Sequence, residues 1–179
     1  MSTLVIIAHP DISNSTVNKH WRDALSKIGE SVTVHEIYPE YPHGKIDIEK
    51  EQKLIEAHDH IIFQYPLYWY SSPPLMKQYL DEVFTHGWAY GSKGDALKGK
   101  NIGLAISIGS IAEAYTPEGN VKFTIDELVS PMIATTRFVS ANYVGAHKLY
   151  SAFTIAPSQL EENTQDYLNF IQSLNLSLI

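Results

Sequence analysis

Five short apolar runs, Leu4–Ala8, Val32–Ile37, Ile61–Tyr65, Ile102–Ile108 and Phe138–Val144, punctuate this chain, and segments of helical periodicity fall between most of them. A chain that alternates in this way builds βαβ units, which lay their strands parallel in one sheet. The first, third and fourth runs are nearly continuous in apolar residues. That pattern marks interior strands covered by helices on both faces, because a strand with one wet face would alternate apolar and polar residues. The expectation is a doubly wound α/β fold with a five-stranded parallel sheet. With 179 residues, 44% of them apolar, the chain fills one core and is short for two, so residues 1–179 are expected to form a single domain.

The helices carry their own punctuation. Ser15 is placed to cap a first helix with Val17, Trp21, Ala24, Leu25 and Ile28 as its buried stripe and Gly29 ending it. A weaker pattern spans Ile48–Ala57. Ser72 is expected to cap a helix with Pro73 at its first position and Leu75, Met76, Tyr79, Leu80, Val83 and Phe84 on one face. Thr124 and Glu127 make a capping box for a helix that Pro131 should shorten or kink. A second box, Pro157-Ser158 with Glu161, precedes a helix lined by Leu160, Tyr167, Leu168, Ile171 and Leu174. Two segments fit no element. Thr85–Lys100, Gly-rich with Trp88 and Tyr90, is expected to be a lid or a subunit contact, and Gly145–Pro157 has room for an extra strand or hairpin.

Composition excludes several functions. A formal charge of -7, from 13 basic and 20 acidic residues, argues against nucleic acid or an anionic membrane as the main partner. There is no cysteine, so disulfides, thiolate metal sites and thiol redox chemistry are out, and any redox activity must come from a bound cofactor. No run is long enough to span a bilayer and the first residues lack a basic leader, so the expected location is the cytoplasm. The sequons at Asn14 and Asn175 are then chance matches.

Some motifs mislead. Gly94 to Asn101 resembles a phosphate-gripping P-loop, but Asn101 stands where Ser or Thr would hold magnesium, and the stretch precedes a strand instead of joining a strand to a helix. No GxGxxG follows the first strand, so a dinucleotide-binding Rossmann start is missing. No HExxH occurs, and His58-Asp59-His60 is read as a solvated helix end, which leaves no metal site.

Three loops at the carboxyl ends of strands carry the positive signal. After the first strand, His9 is followed by Ser13, Ser15, Thr16, Val17 and Asn18 at a helix N-terminus, where free N–H groups and the helix dipole suit a phosphate monoester. Ser15 serving only as a cap is the bland alternative. After the third strand come Pro66, Leu67, Tyr68, Trp69 and Tyr70, large aromatics that are costly to expose unless something flat packs on them. After the fourth come Ser107, Ile108, Gly109 and Ser110, whose small residues let backbone N–H groups approach a planar ring edge, and then Tyr115. In the strand order 2-1-3-4-5, strands 1, 3 and 4 are neighbours, and their loops converge at the point where the order reverses. Phosphate loop, aromatic loop and glycine loop in that arrangement favour a flavin nucleotide.

The segments Ala8–Pro10 with Ser15 and Asn18, Tyr65–Phe84 and His86–Gly91 resemble the flavodoxin-like NAD(P)H:quinone oxidoreductases. The likeness is greatest to short bacterial members that include the ancillary subunits of glutathione-gated potassium efflux systems, and it runs along nearly the whole chain. It implies a noncovalent flavin and a homodimer with its two active sites at the subunit interface. Carried over by position, His9 and Ser15, Thr16, Val17 and Asn18 would hold the phosphate and ribityl chain. Pro66, Leu67, Tyr68 and Trp69, with Ser107, Ile108, Gly109 and Ser110, would contact the isoalloxazine, and Tyr115 would face flavin and substrate. Two departures stand out: the family's Thr-Thr-Gly-Gly is Ser107-Ile108-Gly109-Ser110, and a histidine of larger members is Val121.

The implied reaction is ping-pong. NADH or NADPH gives hydride to flavin N5 and leaves, and a quinone or another small acceptor enters the same slot. Tyr115 and the amides of Ser107–Ser110 would stabilise charge on the reduced ring. The short chain favours FMN, with FAD left open. Two other roles fit the same cofactor: a regulatory flavoprotein subunit of a potassium efflux antiporter, and a one-electron flavodoxin-type shuttle.

Overall fold

The computed structural model describes residues 1–176 of the chain. Its strands are β1 (Thr3–Ile7), β2 (Val32–Glu36), β3 (His60–Pro66), β4 (Asn101–Ser107) and β5 (Asn142–Leu149). All pair in parallel, in the order β2-β1-β3-β4-β5. The helices are α1 (Thr16–Leu25), α2 (Ile37–Glu40), α3 (Ile48–Glu56), α4 (Pro74–Val83), α5 (Ile125–Leu128), α6 (Ser130–Phe138) and α7 (Pro157–Leu176).

Side chains alternate across each strand, and both faces are apolar. Leu4, Ile6, Ile61, Phe63, Leu104 and Ile106 pack with α3, α4 and α6, whereas Val5, Ile7, Ile62 and Ala105 pack with α1 and α7. The continuous apolar runs of β1, β3 and β4 thus reflect a sheet covered on both sides, as expected of interior strands. No helix among the described residues is long and apolar enough to cross a membrane.

Several boundaries differ from the sequence reading. Phe138 and Val139 end α6 and do not start β5. That strand begins at Asn142 and runs on through the segment where an extra hairpin had room. Opposite Gly103, β5 carries one surplus residue, and Gly145 takes φ 106 at this bulge. Helix α4 starts one residue later than expected: Pro73 occupies the cap position with no side-chain hydrogen bond, and Ser72 lies outside. At α7 the N-terminal bond runs from the Ala156 amide to Gln159 Oε1 at 3.4 Å, so the Ser158–Glu161 box does not form. Helix α1 ends at Leu25, short of Gly29. The Thr124–Glu127 box is present, and α5 stops before Pro131, which sits in the first turn of α6. Of the second sequon, Ser177 lies outside the described residues.

Candidate functional site

Because all five strands run the same way, the loops after β1, β3, β4 and β5 emerge at one edge of the sheet. They enclose a groove of about 450 Å³, within the size range of small-ligand pockets. His9 and Ser15, Thr16, Val17 and Asn18 line one end, Pro66, Leu67 and Tyr68 a side, and Ser107 and Gly109 the floor. Asp11 and Asn14 join the first end, and Ala152 and Phe153 close the groove from the loop after β5.

At the α1 end the donors are neutral. Ser15 Oγ accepts from the Asn18 amide at 3.1 Å and so caps the helix. The Thr16 and Val17 amides, in the first helical turn, have no acceptor among the described residues, and the helix dipole adds positive potential there. His9 Nδ1 accepts from the Asp11 amide at 3.1 Å, which leaves Nε2 as the protonated nitrogen of a neutral ring. Burial lowers its pKa, against an opposing pull from Asp11. No lysine or arginine lines the groove among the described residues, so an anion here is met by amides, hydroxyls and the dipole.

The aromatic side is a tight hairpin. Tyr68 and Ser71 exchange backbone hydrogen bonds of 2.9 Å in both directions. Between them Trp69 and Tyr70 have φ of 45 and 64, the double positive φ of a type I′ turn, in which Asn and Gly are the usual occupants. Two bulky residues in the left-handed region store strain and hold the Trp69 indole 93% exposed.

On the floor, Ile108 is committed to structure. Its amide donates to the Leu149 carbonyl and its own carbonyl accepts from Ala152. The amides of Gly109 and Ser110 make no hydrogen bond among the described residues. A side chain at Gly109 would displace the Phe153 ring, since a Cβ there would lie 2.6 Å from Phe153 Cε2. Phe153 is 90% exposed, yet its loop is pinned by bonds from Ser151 to the Ser110 carbonyl and from Ala152 to the Ile108 carbonyl.

The structure therefore brings most of the sequence-derived site residues to one groove. Ile108, Ser110, Trp69 and Tyr115 do not line it directly. The Tyr115 ring is half-buried 6.1 Å from that of Tyr150 with Tyr70 nearby, and burial, then these phenols, raises its pKa, so it stays a donor at neutral pH. Phe153, Gln64 and Tyr167 gave no motif by which sequence could find them. Thr85–Lys100 is no lid over the groove: Ala89 and Leu97 are buried, Trp88 Nε1 donates to Glu56 Oε1 at 2.6 Å, and none of the segment lines the site. His58 and His60 are buried, contrary to a solvated helix end, and no group that could hold a metal exists among the described residues.

A helix terminus with free amides, an aromatic wall and the free Gly109 amide meet at the switch point of a 2-1-3-4-5 sheet, the place where open α/β proteins of this class hold their ligands. A family model described as flavodoxin-like fold matches residues 1–172, and the chain belongs to that family. It is 44% identical to an uncharacterized NAD(P)H oxidoreductase, YdeQ, of Bacillus subtilis, over 99% of this chain and 89% of the relative. It is 34% identical to the glutathione-regulated potassium-efflux system ancillary protein KefG of Pectobacterium carotovorum, over 95% and 92%. Among solved structures, general stress protein 14 of Treponema denticola in complex with FMN superposes with a TM-score of 0.94 at 46% identity, covering 97% of this chain and 99% of that one. An NADPH-quinone reductase of P. pentosaceus superposes with 0.86 at 31% identity, covering 97% of each.

Proposed function

We propose that the groove holds FMN and that the protein is an NAD(P)H-dependent oxidoreductase that reduces a quinone or a similar small acceptor. The observation that carries this reading is the meeting of the free Thr16 and Val17 amides, the Pro66–Tyr68 wall and the free Gly109 amide in one cleft. The FMN complex of a relative at 46% identity supports it, as does the NADPH-quinone reductase likeness. The residues fit the group: neutral donors suit its phosphate, and amides at a glycine suit the edge of its ring.

When bound, the group supplies hydride acceptance from NADH or NADPH and delivery of two electrons to the second substrate. The chain's residues do the rest. Thr16, Val17 and His9 Nε2–H anchor the phosphate. Pro66, Leu67 and Tyr68 exclude water from one side, and Trp69 and Tyr70 wall the slot in which donor and acceptor alternate. The Gly109 amide would stabilise charge at the ring edge, and Tyr115 would donate a hydrogen bond to the acceptor's oxygen.

The same reading makes the protein a homodimer. An apolar groove of about 530 Å³ runs beside the hairpin between α4 and α6, lined by Leu80, Phe84, Val129 and Met132, with Phe138 69% exposed at its edge. A second copy would cover it and complete the substrate slot. The likeness to KefG supports a further role beside an efflux antiporter.

The test is titration of purified apoprotein with FMN and FAD, followed by fluorescence and the visible spectrum, and then NADH and NADPH oxidation with a benzoquinone acceptor. Saturable uptake of FMN and acceptor-dependent oxidation are expected. A protein that takes up neither flavin at micromolar supply overturns the reading.

A further inference from the structure

Beneath the groove lies a buried chain of polar groups. Tyr167 OH, on α7, is 3.2 Å from Gln64 Oε1, at the end of β3. Gln64 Nε2 is 3.1 Å from the Asn18 carbonyl and 3.4 Å from Asn18 Oδ1. Asn18 Nδ2 is 2.8 Å from Ser107 Oγ and 3.5 Å from Ser15 Oγ. Tyr167 and Gln64 are 0% exposed and Asn18 1%, so bulk water does not reach the Tyr167–Gln64–Asn18 bonds.

One atom sets the direction of every bond. A backbone carbonyl can only accept, so the Gln64 atom facing the Asn18 carbonyl is the donor nitrogen. Gln64 Oε1 then faces Tyr167, whose phenol must donate. Gln64 Nε2 also faces Asn18 Oδ1, so the opposite end of that amide, Nδ2, faces the two serines and donates to them. Ser107 Oγ accepts from Asn18 Nδ2, and Ser15 Oγ accepts both from it and from the Asn18 amide. Each serine retains its own proton for an acceptor in the groove, which both residues line.

We infer that Tyr167, Gln64 and Asn18 form a relay of fixed polarity that holds the hydroxyls of Ser15 and Ser107 as hydrogen-bond donors toward the bound flavin nucleotide. Tyr167 and Gln64 are thus positioning residues: they touch no ligand, and they decide which way the amide of Asn18 faces. Without the Tyr167 donor, Gln64 Oε1 is left buried and unpaired, so the one orientation that the Asn18 carbonyl permits becomes costly to hold and the Gln64 side chain loses its fixed place against Asn18. The inference rests on the FMN reading above.

The experiment is a double-mutant cycle on FMN affinity, read by fluorescence quenching, with Tyr167→Phe, Ser107→Ala and the pair. Ser107→Ala is expected to weaken FMN about tenfold and Ser107→Thr, which keeps the hydroxyl, to remain within about twofold of wild type. Tyr167→Phe is expected to weaken FMN about threefold to tenfold alone and by a clearly smaller factor in the Ser107→Ala background, where only Ser15 still depends on the relay. A merely structural loss would multiply with Ser107→Ala, and multiplication overturns the inference. So does FMN affinity unchanged in Tyr167→Phe or in Ser107→Ala. If Tyr167→Phe does not fold cooperatively, the Ala and Thr pair at Ser107 decides: equal affinities overturn the donor assignment. Wild-type protein that binds no FMN fails the underlying reading instead.

Discussion

Gly109 and Phe153 are complementary in shape: the ring occupies the space that any side chain at position 109 would need, its Cε2 lying 2.6 Å from where a Cβ would stand. The loop after β5 can overhang the groove because the loop after β4 is bare at this point. Phe153→Ala is expected to weaken FMN about tenfold, corresponding to about 55 Å² of apolar surface at ~25 cal/mol/Å². Gly109→Ala should displace the ring and weaken binding similarly, and in the Phe153→Ala background its cost should shrink. Fluorescence titration of the four proteins checks this; fully independent effects would refute the shape argument.

The strained hairpin predicts a trade of stability against activity. Trp69 occupies left-handed space that asparagine tolerates better. Trp69→Asn is expected to stabilise ligand-free protein by about 0.5–1 kcal/mol while lowering acceptor turnover. The urea midpoint, with the slope unchanged, gives the first quantity and steady-state kinetics the second.

Tyr115→Phe is expected to leave FMN content and affinity unchanged and to lower quinone turnover by about 100-fold, the scale of one lost donor at a developing negative charge. Unaltered turnover would remove Tyr115 from the reaction.

Glu51 gives a pH prediction. It is 0% exposed and accepts from His35 Nε2 at 3.0 Å, Tyr79 OH at 2.8 Å and Tyr41 OH. Burial alone would raise its pKa, but the hydrogen bonds from His35, Tyr41 and Tyr79 and the attraction of His35 outweigh it and hold the carboxyl below its ordinary value of 4.5. A folded-state pKa below the unfolded one stabilises the protein above pH 4.5, and that contribution disappears as pH falls through the lower value. Glu51→Gln, which presents an amide donor to groups that already donate, should cost about 2 kcal/mol at pH 7 and flatten the acid limb of the stability profile. Denaturant melts from pH 7 to pH 3 check both.

The five-stranded sheet and three of the groove's loops were legible because periodicity and cap residues are local signals. Strand β5 was misplaced for a physical reason. Phe138 and Val139 look like a strand start but belong to the last turn of α6, where Val139 is buried and Phe138 exposed. The true strand is interrupted by Gly145 and carries His147 and Lys148, so its apolar alternation is broken. Phe153 escaped because an exposed aromatic in a loop has no periodicity, and only topology brings it to Gly109. The relay from Tyr167 to Ser107 joins residues far apart in the chain, and no spacing rule foreshadows such a contact.

The surplus residue in β5 reaches beyond the strand itself. Before it, Tyr143 packs with one core and Val144 with the other; after it, Ala146 returns to the first and Leu149 lies in the second. Were Gly145 drawn into regular pairing, every later side chain of that strand would invert. His147 would leave its stack on Tyr167, and Lys148 would leave Asp126. The turn bearing Phe153 would then depart from the opposite face, so one unpaired residue some distance from the groove keeps its outer rim in place.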